Sequence, residues 1–249
     1  TPSNSMLDVN VALMPTAVYG AGAALGDDGN LYVLLGQCTT GGCPHDAGQD
    51  SVMSYDETLK AWLPYRAPLK NPTLRGRVGS TAAPDGRIYV VGGSSEQMTG
   101  LATVEAYTPK TNNWATVASL NYQGISITTV LGKDGRIYAL AGAALNAGKM
   151  TFRNVVEAYG PSLTLVSATG TAGTMQALTG SNFAASAPVR IYFGTEPTPI
   201  STTQTDSAGQ LPVVVTYKIP SGIAPGTYDL KVVDLKSNYP AFARVTVTP

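Results

Sequence analysis

The sequence predicts an all-β protein in two regions, and three observations carry that prediction. The 249 residues are punctuated by 27 glycines and 17 prolines, with short Val, Ile, Tyr and Thr runs between them. No window longer than about ten residues holds a clean 3.6-residue apolar period, so strands and turns are expected rather than helices. An Asp-Gly turn feeding an apolar strand occurs three times, at Asp28–Gln37, Asp85–Ser94 and Asp134–Ala143. Glycine tolerates the positive φ that a primed hairpin turn needs, and aspartate bonds its own backbone there.

Taken in chain order, Asp8–Met14 comes first and alternates like an edge strand. Each Asp-Gly strand is then followed by a second element, at Val52–Tyr55, Val104–Tyr107 and Val156–Tyr159. The three tyrosines lie 52 residues apart, and Trp62 and Trp114 are also 52 apart, each seven residues after its tyrosine. A strand ending on glycine, then Tyr, then Trp, at a period near 50, resembles the kelch repeat. The match is tightest at Gly92, Gly93, Tyr107 and Trp114 and extends over about residues 8–160. The resemblance implies a β-propeller built of four-stranded blades, and three blades make a half-propeller, since rings close with about four to eight. The period sets Asp8–Met14 in the place that Trp62–Leu69 and Trp114–Leu120 take in their blades, while the third blade runs out at Tyr159. The chain is thus expected to begin with a lone outer strand and to lack one in its third blade. A strand from another copy, with Val9, Val11 and Leu13 on one face, would cover that edge.

At Gly160-Pro161 the composition shifts: no Trp, Cys or His follows, and threonine becomes abundant. The expected domains are therefore 1–160 and 161–249. Seven strand candidates occupy the second region: Leu163–Ala168, Thr174–Thr179, Val189–Phe193, Thr198–Thr203, Pro212–Lys218, Thr227–Val233 and Ala243–Thr248. That number in so short a stretch suits a seven-stranded antiparallel β-sandwich of immunoglobulin type. Three patterns, Leu178–Phe183, Val189–Gly194 and Ile219–Val233, resemble IPT/TIG modules, which implies an extracellular or cell-surface setting. A similar sandwich closes galactose-oxidase-like enzymes.

Charge narrows the function. Sixteen basic residues balance sixteen acidic ones, and charged residues make up only 13%. Such a surface has no electrostatic hold on nucleic acid or an anionic membrane. No apolar run approaches the roughly 18 residues of a membrane helix. One histidine and two cysteines rule out metal sites built from several imidazoles or thiolates, and no cofactor is expected. Cys38 and Cys43 share one short loop, so a disulfide and an oxidising compartment are expected. A metal pair with His45 and Asp46, or a free thiol, is the alternative there. His45 would have to carry any Ser-His-Asp or Cys-His mechanism; beside Pro44 in a long loop it reads instead as an exposed polar residue. Gly26–Gly29 resembles a calcium loop, but its counterparts at Asp85 and Asp134 mark it as a hairpin turn. The copper enzymes of the galactose-oxidase type use two histidines and two tyrosines, one of them cross-linked to cysteine, and this chain lacks that set. Glu105 and Glu157 recur at blade spacing and read as structural, and Trp62 and Trp114 as packing residues.

What remains is a rim of three segments, Gln37–Gln49, Ser94–Leu101 and Ala143–Arg153, small, polar and nearly uncharged. His45, Asp46, Met98 and Met150 are its candidate contacts for a protein or a neutral glycan. The sequence therefore points to a non-catalytic extracellular structural or adhesive protein whose partners are other copies of itself, joined as a filament or a closed oligomer. A glycan- or protein-binding module acting through the rim is the alternative, and a galactose-oxidase-like fragment without its active site is the second.

Overall fold

The computed structural model describes residues 12–37, 52–64, 75–94, 99–140, 142–146 and 149–249. Among these the regular structure is β, apart from one 3-10 turn at Pro109–Thr111. The chain divides into two compact units. The first takes residues 1–82, 86–130 and 139–157, and the second 83–85, 131–138 and 158–249.

The first blade is the antiparallel sheet β1 (Gly22–Leu25), β2 (Leu31–Leu34), β3 (Val52–Asp56) and β4 (Ala61–Trp62), in that order. The second repeats it as β5 (Gly79–Ala82), β6 (Ile88–Val91), β7 (Val104–Thr108) and β8 (Asn113–Thr116). The third contains β9 (Thr128–Leu131), β10 (Ile137–Leu140) and β13 (Val156–Tyr159), in the order β13-β10-β9, and among the described residues no fourth strand follows β13. Between β10 and β13 stands a separate hairpin, β11 (Ala143–Asn146) with β12 (Lys149–Phe152). The segment Ala143–Arg153, expected as a rim loop, is therefore largely sheet. Backbone pairing of Leu145 with Met150 and Ala143 with Phe152 builds it.

Turn chemistry sets the blades. Gly29, Gly86 and Gly135 take φ of 80°, 79° and 83°, a region that costs glycine nothing. Asp28 Oδ1 accepts the Asn30 N–H at 3.1 Å and Asp134 Oδ1 accepts the Arg136 N–H at 3.2 Å, closing the same turn in the first and third blades. This is the hairpin reading of Gly26–Gly29 rather than the calcium one. The tyrosine-tryptophan spacing also has a physical cause, since Tyr55 meets Trp62 and Tyr107 meets Trp114 at ring-centroid distances of 5.4 and 5.0 Å. In the second unit Tyr159 instead meets Tyr239 edge-on at 6.1 Å.

The C-terminal region is a β-sandwich of eight strands: β14 (Ser162–Leu165), β15 (Thr169–Thr171), β16 (Met175–Ser181), β17 (Pro188–Phe193), β18 (Ser201–Gln204), β19 (Val215–Lys218), β20 (Gly226–Asp234) and β21 (Pro240–Thr248). Seven correspond to the strands read from the sequence. The eighth, β15, is short and polar and runs parallel to β21, so the sheets are not wholly antiparallel. One sheet is β14-β16-β19 and the other β15-β21-β20-β17-β18. Their inner faces meet in a core that includes Leu178, Ile191, Phe193, Tyr217, Leu230 and Val245. Asp234, fully buried, is accounted for by its turn: its carboxylate accepts the N–H groups of Lys236 and Ser237 and the Ser237 hydroxyl.

Candidate functional site

The third blade is where the repeat and its surroundings part company. In the second blade β7 sits between β6 and β8, and its Val104, Glu105, Ala106 and Tyr107 are all buried. The same four residue types form β13, which ends its sheet among the described residues, and Val156 there is 60% exposed against 3% for Val104. A strand at a sheet edge presents backbone donors and acceptors to whatever extended chain comes alongside.

The two glutamates of this position use different partners. Glu105 forms a buried ion pair with Arg75, whose Nη2 donates to Glu105 Oε2, while Nη1 donates to the Thr103 carbonyl at 3.3 Å. Burial pushes Glu105 up and Arg75 down, and the mutual attraction and hydrogen bond oppose both shifts. Among the described residues Arg75 Nε has no acceptor. Glu157 instead takes backbone and amide donors: Oε2 accepts the Asn121 N–H at 2.8 Å and Nδ2 at 2.7 Å, and Oε1 accepts the Tyr122 N–H at 3.3 Å. A shallow cleft opens there, lined by Tyr122, Gly124, Arg153, Val155 and Glu157, with the Arg153 guanidinium 5.3 Å from the Tyr122 ring centroid. Both glutamates thus hold local structure. Arg75 is the residue that sequence reasoning missed.

Of the other sequence candidates, Val9, Val11, Cys38, Cys43, His45, Asp46 and Met98 lie outside the described residues. Leu13 is described, belongs to no strand and is 92% exposed. The strand read over Asp8–Met14 therefore does not reach Ala12–Met14. There the Ala12 carbonyl accepts the Trp62 indole N–H at 2.9 Å, a side-chain contact in place of a sheet ladder. Met150 is on β12, half-exposed, on the same strand face as the exposed Phe152. Met150 is thus the one rim candidate among the described residues. No three His, Cys, Asp or Glu side chains cluster to hold a metal among them, and no helix is long and apolar enough to cross a membrane. What the arrangement offers is a strand edge and apolar surface, which suit association.

Known proteins agree on the repeat. The family model described as Kelch motif matches residues 79–121, the span of the second and complete blade. Kelch-like protein 42 of Mus musculus is 28% identical over 97 residues, 39% of this chain and 20% of that protein. The Homo sapiens protein of the same name is 27% identical over 97 residues, 39% of this chain and 19% of its own length. The match thus spans about a fifth of those relatives. A solved structure titled as a novel fungal alcohol oxidase with catalytic diversity among the AA5 family, in complex with copper, aligns over 96% of this chain and 56% of that one. Its identity is 19% and its TM-score 0.46, and a likeness of that size says nothing of this chain's chemistry. The chain carries a kelch motif in a β-rich repeat fold, a partial propeller followed by a sandwich.

Proposed function

We propose that this is a non-catalytic interaction protein that assembles with other copies of itself by lending a strand to an incomplete blade. The observation that carries the reading is the third blade, three-stranded among the described residues and ending at β13. Residues 8–14 of a second copy supply the fourth strand by β-augmentation, with Val9, Val11 and Leu13 on one face. Reciprocal exchange closes a ring of two copies, and head-to-tail exchange builds a filament. A net charge of zero offers no repulsion to either. In this reading the sandwich is an IPT/TIG-like module, Cys38 and Cys43 form a disulfide, and the setting is extracellular or at a cell surface.

Light scattering and electron microscopy on the whole chain and on a chain lacking residues 1–14 test it. The whole chain assembles with rising concentration and the shortened one stays monomeric. A monomeric whole chain, or assembly indifferent to the deletion, overturns strand donation. A second reading has one observation in its favour: the hairpin β11–β12 shows Phe152, 80% exposed, beside Met150, a surface suited to a partner protein or a neutral glycan.

A further inference from the structure

We infer that the third blade receives an acidic segment of another protein, which lies extended beside residues 154–157 and sets an Asp or Glu carboxylate on the Arg153 guanidinium. This occupant uses the edge of the proposal above, and so rests on that reading of β13, but it is not a second copy.

The second blade shows how such an edge is filled. Its outer segment runs back along β7, where the Val117 N–H donates to the Val104 carbonyl at 3.1 Å and the Leu120 N–H to the Ala102 carbonyl at 2.8 Å. That path brings the segment level with Leu101, whose own N–H donates to the Gly93 carbonyl at 2.9 Å. In the third blade the Arg153 N–H donates to the Gly142 carbonyl at 3.0 Å, so Arg153 stands where Leu101 stands one blade earlier. Both lie three residues before the valine of Val-Glu-Ala-Tyr. Asn154 and Val156 then correspond to Ala102 and Val104. Backbone groups alternate in direction along a strand, so these two turn theirs to the outer side of β13, where no strand is paired among the described residues. An extended segment finds there the same two carbonyls that Val117 and Leu120 find in the second blade.

What differs is the side chain at the end of the path, leucine in the second blade and arginine in the third. The half-buried Arg153 guanidinium lies in the shallow cleft, 5.3 Å from the ring centroid of Tyr122, which is 50% exposed. It forms no ion pair among the described residues, and its buried Nε has no acceptor among them. The described carboxylate that lines the cleft is Glu157, whose oxygens already accept the N–H groups of Asn121 and Tyr122. A guanidinium with unspent donors is matched by a planar carboxylate, which accepts two of them at once. In the register that the 52-residue period gives, the donor residue corresponding to Leu120 is Thr16, so a second copy brings no carboxylate to Arg153. An acidic partner does.

The test uses synthetic peptides with the sequence of residues 111–121, the segment that fills the second blade, as the parent and with Leu120→Glu or Leu120→Gln. Fluorescence anisotropy with the dilute whole chain is expected to show the Glu peptide binding at least about tenfold tighter than the Gln peptide, a preference that shrinks as salt is added. Arg153→Leu restores the residue of the second blade. It is expected to erase the preference and to bind the parent peptide at least as well as the Glu peptide, which also shows that the variant is folded. Arg153→Glu reverses the charge and is expected to select a Leu120→Lys peptide. A Glu peptide that does not bind, equal binding of the Glu and Gln peptides, a preference that survives Arg153→Leu, or indifference to the charge swap overturns the receptor. The same measurements on the chain lacking residues 1–14 separate the two occupants. If that chain selects the Glu peptide through Arg153 while assembly is indifferent to the deletion, the receptor stands and strand donation falls. If the deletion abolishes assembly and neither chain binds the Glu peptide, strand donation stands and the receptor falls.

Discussion

The tetrapeptide Val-Glu-Ala-Tyr occurs twice, at 104–107 in the second blade and at 156–159 in the third, and the two copies live in different surroundings. The first is buried throughout; the second presents Val156 and Ala158 to solvent. Identical local sequence gives the same strand, but whether that strand is core or surface depends on its neighbours. The blade, with its turn, its apolar alternation and its tyrosine, is written locally. Completion of the blade is not.

The largest effect that sharpens this comparison is at the glutamates. Arg75→Ala leaves Glu105 buried without its partner and is expected to cost about 3–5 kcal/mol. Glu157→Ala removes an acceptor from three donors on a wetter surface and is expected to cost about 1 kcal/mol. Urea unfolding of the two variants measures both. The first blade suggests the rescue, because it places Met53, 1% exposed, where the second has Glu105. Arg75→Leu with Glu105→Met should accordingly recover most of the loss, as apolar replacement of a buried pair often does. Equal costs for Arg75→Ala and Glu157→Ala would break the comparison.

Next in size come the valines. Val104→Ala removes two buried methyl groups and is expected to cost about 2 kcal/mol, by lost transfer energy and a residual cavity. Val156→Ala, at an exposed position, should stay within about 0.5 kcal/mol for the isolated chain. The same substitution should weaken assembly if Val156 is covered between copies, so stability and association separate at one residue. A Val156→Ala chain that unfolds as easily as Val104→Ala would show the two copies to be alike after all.

How much of this was legible in the sequence follows the same division. The Asp-Gly turns, the Gly-ended strands and the Tyr–Trp pairs were readable because each needs only residues close in sequence. The short third blade was readable because a fixed period exposes a missing member. Arg75 was not, since its meaning depends on a carboxylate 30 residues on. The β15 strand at Thr169–Thr171 gives no apolar alternation, and it exists because β21 provides a parallel edge. The β11–β12 hairpin was hidden in a segment of small residues, with Met150 and Phe152 its faint period-two signal. The exposure of Val156 could not be read from Val-Glu-Ala-Tyr at all.

The smallest effect concerns the turns, where first and third blades differ by one side chain. Asp28 receives the Asn30 amide and the Tyr32 hydroxyl; Asp134 receives the Arg136 Nε at 2.7 Å and the Tyr138 hydroxyl at 2.6 Å. Partial burial alone would push Asp134 up, but the hydrogen bonds from Tyr138 and Arg136 and the Arg136 charge outweigh it and hold the carboxyl below its usual range. A carboxyl whose pKa is depressed in the folded state adds stability above its unfolded value near about 4, and that stability is lost as pH falls through the lower folded value. Asp134→Asn should therefore cost little at pH 3 and below and more from pH 5 upward. The turn is about one-third exposed, so solvent screens the pair and the difference is small. Thermal unfolding of wild type and Asp134→Asn from pH 2 to 7 reads it as a gap in Tm that opens between about pH 2 and 5. A gap constant over that range, or one that widens toward acid, would show that Asp134 acts by shape alone and that its turn is equivalent to that of Asp28.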